Sequence, residues 1–114
     1  MPTQKAKDNY LGKNTKRLNC AQAVLAAFKE KFGIEEEILN KFAGFGGGNA
    51  PDGVCGAYYS AKYIIEKVTP EKINELDTFF VDAAKSLKCK EIRGLRKLSC
   101  LGCVEKAAEF LEKN

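Results

Sequence analysis

The sequence predicts an all-α fold: a single compact bundle of about five or six helices, one domain over residues 1–114. Three observations predict it. Apolar residues recur at three- and four-residue spacing in most segments. No segment alternates as a half-buried strand does, and no repeat of fixed period appears. The length, 114 residues, suits one core better than two.

In chain order, Thr3 to Gly12 forms a short helix with Ala6, Tyr10 and Leu11 on one side, broken by Gly12 and Asn14. Asn19 has the side chain of an N-cap. From Cys20 to Phe32 the apolar set Ala21, Val24, Leu25, Phe28 and Phe32 marks a second helix, and Gly33 ends it as a C′ residue. Glu35 to Ala43 is a third, with glutamates at the positive end of its dipole and Ile38, Leu39 and Phe42 inward.

A glycine-rich loop follows, Gly44 to Gly56, holding six of the ten glycines. A fourth helix is expected from Asp52 or Gly53 to Val68, with Val54, Ala57, Ala61, Ile64, Ile65 and Val68 as its apolar face. Cys55 falls off that face and points with Tyr59 and Lys62. Thr69 and Pro70 start a fifth helix, since proline suits the first helical position. It runs to about Lys88 with Ile73, Leu76, Phe79, Phe80, Ala83, Ala84 and Leu87 inward, and Cys89 closes it. Lys90 to Lys97 is a connector with at most a helical turn. Ser99 caps a last helix to about Lys113, with Val104, Ala107, Ala108 and Leu111 as its stripe.

Hydrophobic residues at 45% and charged residues at 30% fit a soluble globular chain. No apolar run approaches the roughly 20 residues of a membrane span. The polar N-terminus lacks the apolar centre of a signal peptide. A cytoplasmic location is expected. The net charge of +4 is mixed along the chain. Short basic clusters stand at Lys5 and Lys7, at Lys16 and Arg17, and at Lys88, Lys90, Arg93, Arg96 and Lys97. Aromatics do not interleave with them as in a single-strand binder, so no nucleic acid is expected.

Two counts narrow the chemistry. With no histidine, Ser–His and Cys–His pairs and mixed Cys/His zinc sites are excluded. Five cysteines, Cys20, Cys55, Cys89, Cys100 and Cys103, are many for a small cytoplasmic chain. In that compartment structural disulfides are rare, and thiols serve as buried apolar groups, metal ligands or redox groups. All five fall at or near predicted helix ends rather than mid-stripe. Cys55 is placed in a first turn, where the helix dipole and unpaired N–H groups favour thiolate. The glycines before it give the backbone room to approach closely. A P-loop fails, because Val54 and Cys55 stand where Lys and Ser or Thr are needed and no strand precedes them.

Cys100-Leu-Gly-Cys103 is a CxxC at a helix start, compatible with a dithiol, half a zinc site or half a cluster site. The wide spacings among Cys20, Cys55, Cys89 and Cys100 are unlike zinc-finger pairs and suit a site assembled from separate helices.

The ordered pieces resemble a redox-active family named for its cysteine pattern, C_GCAxxG_C_C. They are Asn19-Cys20-Ala21-Gln22-Ala23-Val24, the loop Gly44 to Gly48, and Gly53-Val54-Cys55-Gly56-Ala57. Cys89-Lys90-Glu91-Ile92 with Gly94, and Cys100 with Val104, Ala107 and Ala108, complete them. The resemblance spans roughly residues 6 to 112. It implies a small helical prokaryotic protein, redox-active or metal-binding, akin to the cluster-carrying part of split-Soret cytochromes, where a 2Fe–2S centre is proposed. The signature cysteines it implies are Cys20, Cys55, Cys89 and Cys100. Ser60 stands at the last glycine of the pattern, and Cys103 is an additional thiol able to substitute for Cys100. There is no CxxCH for covalent haem.

The leading expectation is a small redox protein using clustered cysteines. In one version Cys20, Cys55, Cys89 and Cys100 ligate an iron–sulfur cluster for electron transfer, with Lys62 and loop N–H groups offsetting its charge. In the other, Cys55 is the nucleophile of a thiol–disulfide pair, with Cys100 or Cys103 resolving. The alternative is a non-catalytic structural zinc or interaction module, with zinc or no cofactor. The partner expected is another redox protein, docking through Lys88 to Lys97, or a second copy in a homodimer; no membrane is expected.

Overall fold

The computed structural model describes residues 2–13, 17–46 and 49–113. The break expected at Asn14 and the loop glycines Gly47 and Gly48 lie outside them. Among the described residues there are eight α-helices: α1 (Pro2–Leu11), α2 (Cys20–Ala27), α3 (Lys29–Phe32), α4 (Glu36–Lys41), α5 (Gly56–Val68), α6 (Ile73–Ala84), α7 (Cys89–Leu95) and α8 (Cys100–Lys113). Short 3₁₀ turns lie at Phe42–Phe45, Pro51–Gly53 and Pro70–Lys72. No strand forms among these residues, and a single antiparallel bridge joins Val54 to Lys88.

The fold is all-α as expected, but the count of five or six helices was too low. One cause is Phe28, whose backbone (φ −110°, ψ 11°) splits the expected Cys20–Phe32 helix into α2 and α3. Its N–H reaches Leu25 C=O at 3.1 Å, a tightened turn. The other cause is the segment read as a connector, which is α7. Cys89 opens that helix rather than closing the one before. The earlier helix stops at Ala84, where Lys85 turns left-handed (φ 72°).

The largest displacement concerns the start of α5. Asp52 and Gly53 both adopt positive φ, 61° and 71°, so no helix can begin there. Val54 and Cys55 run on outside the helix, and α5 begins at Gly56 with Cys55 as its N-cap residue. The helical wheel therefore does not govern Cys55. It is buried, 5% exposed, within the core cluster. Val68, expected inward, is exposed at the far end of the same helix.

The core is built where α2, α5 and α8 meet. Ala21, Val24, Leu25 and Phe28 face Ala57, Ala61, Ile64 and Ile65, with Val104, Ala107, Ala108 and Leu111 closing the third side. The alanines let the helices approach closely, and the larger side chains fill between them. Leu76, Phe80 and Ala84 of α6 cover one flank. Helix α1 lies along α2 and α8, tied by Lys7 to Glu105 (3.1 Å) and Thr3 to Glu112 (3.2 Å). Ser60, in the last-glycine position of the signature, is fully buried, and its hydroxyl donates to Ala21 C=O at 2.7 Å. The α2–α5 crossing thus accommodates a serine by giving it a partner.

Asn19 caps α2 as expected. Its side-chain oxygen accepts from Gln22 N–H (2.8 Å), and its amide donates to Phe42 C=O (3.3 Å) and Ala43 C=O (2.8 Å). One side chain thus fixes both the start of α2 and the turn after α4. Asn19→Ala should cost about 2 kcal/mol, a lost cap plus two lost backbone bonds. Urea denaturation checks this; an unchanged midpoint would show that these bonds contribute nothing net.

Candidate functional site

The signature cysteines occupy equivalent places on four helices. Cys20 is the first residue of α2, Cys89 of α7 and Cys100 of α8, and Cys55 is the N-cap of α5. All four, with Cys103 from the first turn of α8, line one cavity of ≈ 340 Å³. That is near the lower bound for a small-molecule site. Four N-terminal ends therefore meet at one space, each contributing partial positive charge.

Local bonds set each thiol in place. Asn19 orients the start of α2, and so Cys20. The Cys55 N–H donates to Leu87 C=O at 2.7 Å, next to the Val54–Lys88 bridge. This pins the start of α5 to the start of α7. Ser99 caps α8, its hydroxyl accepting from Gly102 N–H at 3.0 Å. Gly56 fits because it lacks a side chain. A Cβ there would lie 2.7 Å from Cys20 Sγ and 2.7 Å from Phe45 C=O. The glycine therefore lets Cys20 and the turn after α4 close onto α5. An aromatic group of Phe42, Phe45, Tyr59 and Tyr63, with ring centroids 5.0–5.5 Å apart, holds that turn.

Cys55 and Cys103 both belong to the buried core cluster and line this cavity. Hydrogen bonding from the Cys103 thiol lowers the Cys55 thiol from 9.0 to about 7, against the opposing effect of burial; the N–H groups of Tyr58 and Ala57 and the charge of Arg93 assist. The same contact, with burial, holds the Cys103 proton tightly. Burial raises Cys89, with Arg93 opposing. At the mouth, the Arg93 guanidinium lies 3.9 Å from Cys100 Sγ. Burial, then the neighbouring Cys100, raises the Tyr10 hydroxyl, while Arg17 bonds to it and lies over the ring, 5.7 Å from the centroid. No disulfide joins any of the five cysteines.

Over residues 18–114 the sequence matches a family model described as "Putative redox-active protein (C_GCAxxG_C_C)". This chain belongs to that family. No curated protein and no solved structure matches it.

The structure brings together every cysteine that sequence reasoning singled out in this C_GCAxxG_C_C protein. It does not bring Lys62, which pairs with Glu66 at 3.8 Å and lines a separate depression with Tyr58 and Asp77. Among the described residues the cations lining the cavity are Arg17 and Arg93 instead, and no carboxylate lines it. Tyr10 and Arg17 were not read as site residues: both precede the matched residues 18–114, Tyr10 was read as part of a helix face and Arg17 as one of a basic cluster. Arg93 was visible only as one of a basic cluster. No helix among the described residues is long and apolar enough to cross a membrane.

Two outcomes follow. In reduced, metal-free protein, alkylation of Cys55 by iodoacetamide should rise with pH to half its plateau at about 7, not 9, because only the thiolate reacts. Cys103 should stay unlabelled across that range. A midpoint near 9 at Cys55, read by peptide mass spectrometry, would contradict the contact. Gly56→Ala should lose about 1–3 kcal/mol through overpacking, because Phe45 C=O is backbone and cannot swing aside; thermal melts measure it.

Proposed function

We propose that the cavity is a redox centre, and that Cys20, Cys55, Cys89 and Cys100 hold a 2Fe–2S cluster there for electron transfer. The carrying observation is that four thiols at four helix N-termini line a single space. The donors fit such a group: all are soft thiols, the type that selects iron–sulfur clusters, zinc or Cu(I). Among the described residues, no three Cys, Asp or Glu side chains are grouped to hold a lone metal ion. Four thiolates would suit tetrahedral zinc or a two-iron cluster; the family's redox description favours the cluster. When bound, the cluster supplies one-electron chemistry.

The chain's own residues then have defined tasks. Helix N-termini and the two arginines offset the negative charge of four thiolates. Arg93, beside Cys100, and Tyr10 contribute donors to that sulfur, a recognised control on cluster potential. Ile92, Leu98 and Leu18 line the remaining wall and limit water. The basic segment Lys90 to Lys97, exposed around Arg93, suits an acidic redox partner.

The Cys55–Cys103 contact favours a second reading, thiol–disulfide transfer. The Cys55 thiolate attacks a partner's disulfide and releases one partner thiolate. Cys103 then gives up its proton and attacks Cys55, forming an internal disulfide and freeing the second partner thiol. Cys100 is the other resolving candidate.

Protein purified without oxygen should be coloured and carry iron and sulfide in equal amounts. Cys→Ser at position 20, 55, 89 or 100 should remove most of both, while Cys103→Ser keeps them. Colourless, iron-free protein whose thiol count falls under mild oxidation would instead support the dithiol. One tightly held zinc, with unfolding on chelation, would support a structural module.

A further inference from the structure

A 2Fe–2S cluster takes four cysteines, and five line this cavity. The fifth, Cys103, is 2% exposed, and it and Cys55 are the two cysteines buried within the core cluster, both lining the cavity. The spare thiol thus shares the core with one ligand thiol. Cys100 instead faces Arg93 and Tyr10. The cavity of ≈ 340 Å³ has room for a small oxidant beside these sulfurs.

We propose that hydrogen peroxide joins Cys55 to Cys103 in a disulfide, and that this bond bars the cluster by removing one of its four ligands. The second half rests on the cluster reading above; the first does not. The chemistry balances in two steps. The Cys55 thiol attacks one peroxide oxygen, the O–O bond breaks, and Cys55 sulfenic acid and one water form. The Cys103 sulfur then attacks the Cys55 sulfur, its proton leaves with the sulfenic oxygen, and a second water departs. Two thiols are oxidised by two electrons and one peroxide is reduced to two waters. A ligand sulfur bound to iron is shielded, so the reaction belongs to the cluster-free state. The centre then reloads only after a reductant reopens the bond, and Cys103 is a modification site rather than a surplus ligand.

The test uses the full chain, reduced and metal-free, treated with one equivalent of hydrogen peroxide in the presence of dimedone. Peptide mass spectrometry should show a Cys55–Cys103 link and little dimedone on Cys55. In Cys103→Ala the link should be absent and the dimedone adduct at Cys55 should appear. Linked wild-type protein, given ferrous iron and sulfide without thiol reductant, should take up neither. Phosphine reduction should restore uptake. A link between any other pair overturns the proposal, as does linked protein that loads as well as reduced protein. The wild-type map decides the bond even if Cys103→Ala folds poorly. If reduced protein takes up no iron and sulfide, the cluster reading and the blocking role fall together, while the map still decides the disulfide.

Discussion

The structure depends on one constraint: four helices must bring their N-terminal ends to a common point without leaving those ends unsatisfied. Each end carries partial positive charge, and packing them together is unfavourable unless something negative or polar meets them. Thiols able to become thiolates meet that need. The rest of the fold serves the convergence. The core of α2, α5 and α8 fixes the directions of three helices, and the Cys55 N–H bond to Leu87 brings α7 to the same place. Asn19 and Ser99 fix two of the helix starts.

This explains why the signature spans nearly a hundred residues yet describes one site. The glycine beside Cys55 belongs to the site as much as the cysteines do, since Cys20 Sγ and Phe45 C=O occupy the space a side chain would need. Ser60 shows where the pattern relaxes. A hydroxyl is tolerated between α2 and α5 because Ala21 C=O lies within reach. Electrostatics at the mouth are one-sided, with two arginines and no carboxylate among the described lining residues, which suits the proposed cluster.

Much of this was legible in the sequence. Asn19, Gly33 and Ser99 have the chemistry of helix ends, and the structure puts helix ends there. The inward stripes of α2, α6 and α8 followed from spacing. The break at Phe28 was not legible, because an uninterrupted apolar stripe carries no sign of a tightened turn. The start of α7 was hidden because a lysine, Lys85, takes the left-handed position that glycine would have announced. Burial of Cys55 was hidden for another reason: the bond that places it reaches thirty-two residues ahead, from 55 to 87. Tyr10 reaches the cavity through packing of α1 against α2 and α8, and Arg17 from the segment before α2, which no local pattern encodes.

The proposed redox centre makes one ligand set of thiols from four separate helices. X-ray absorption at the iron edge of anaerobically isolated protein is its sharpest test. A first shell of sulfur alone and a short iron–iron vector are expected. A first shell of oxygen or nitrogen, or iron with no iron neighbour, would contradict it.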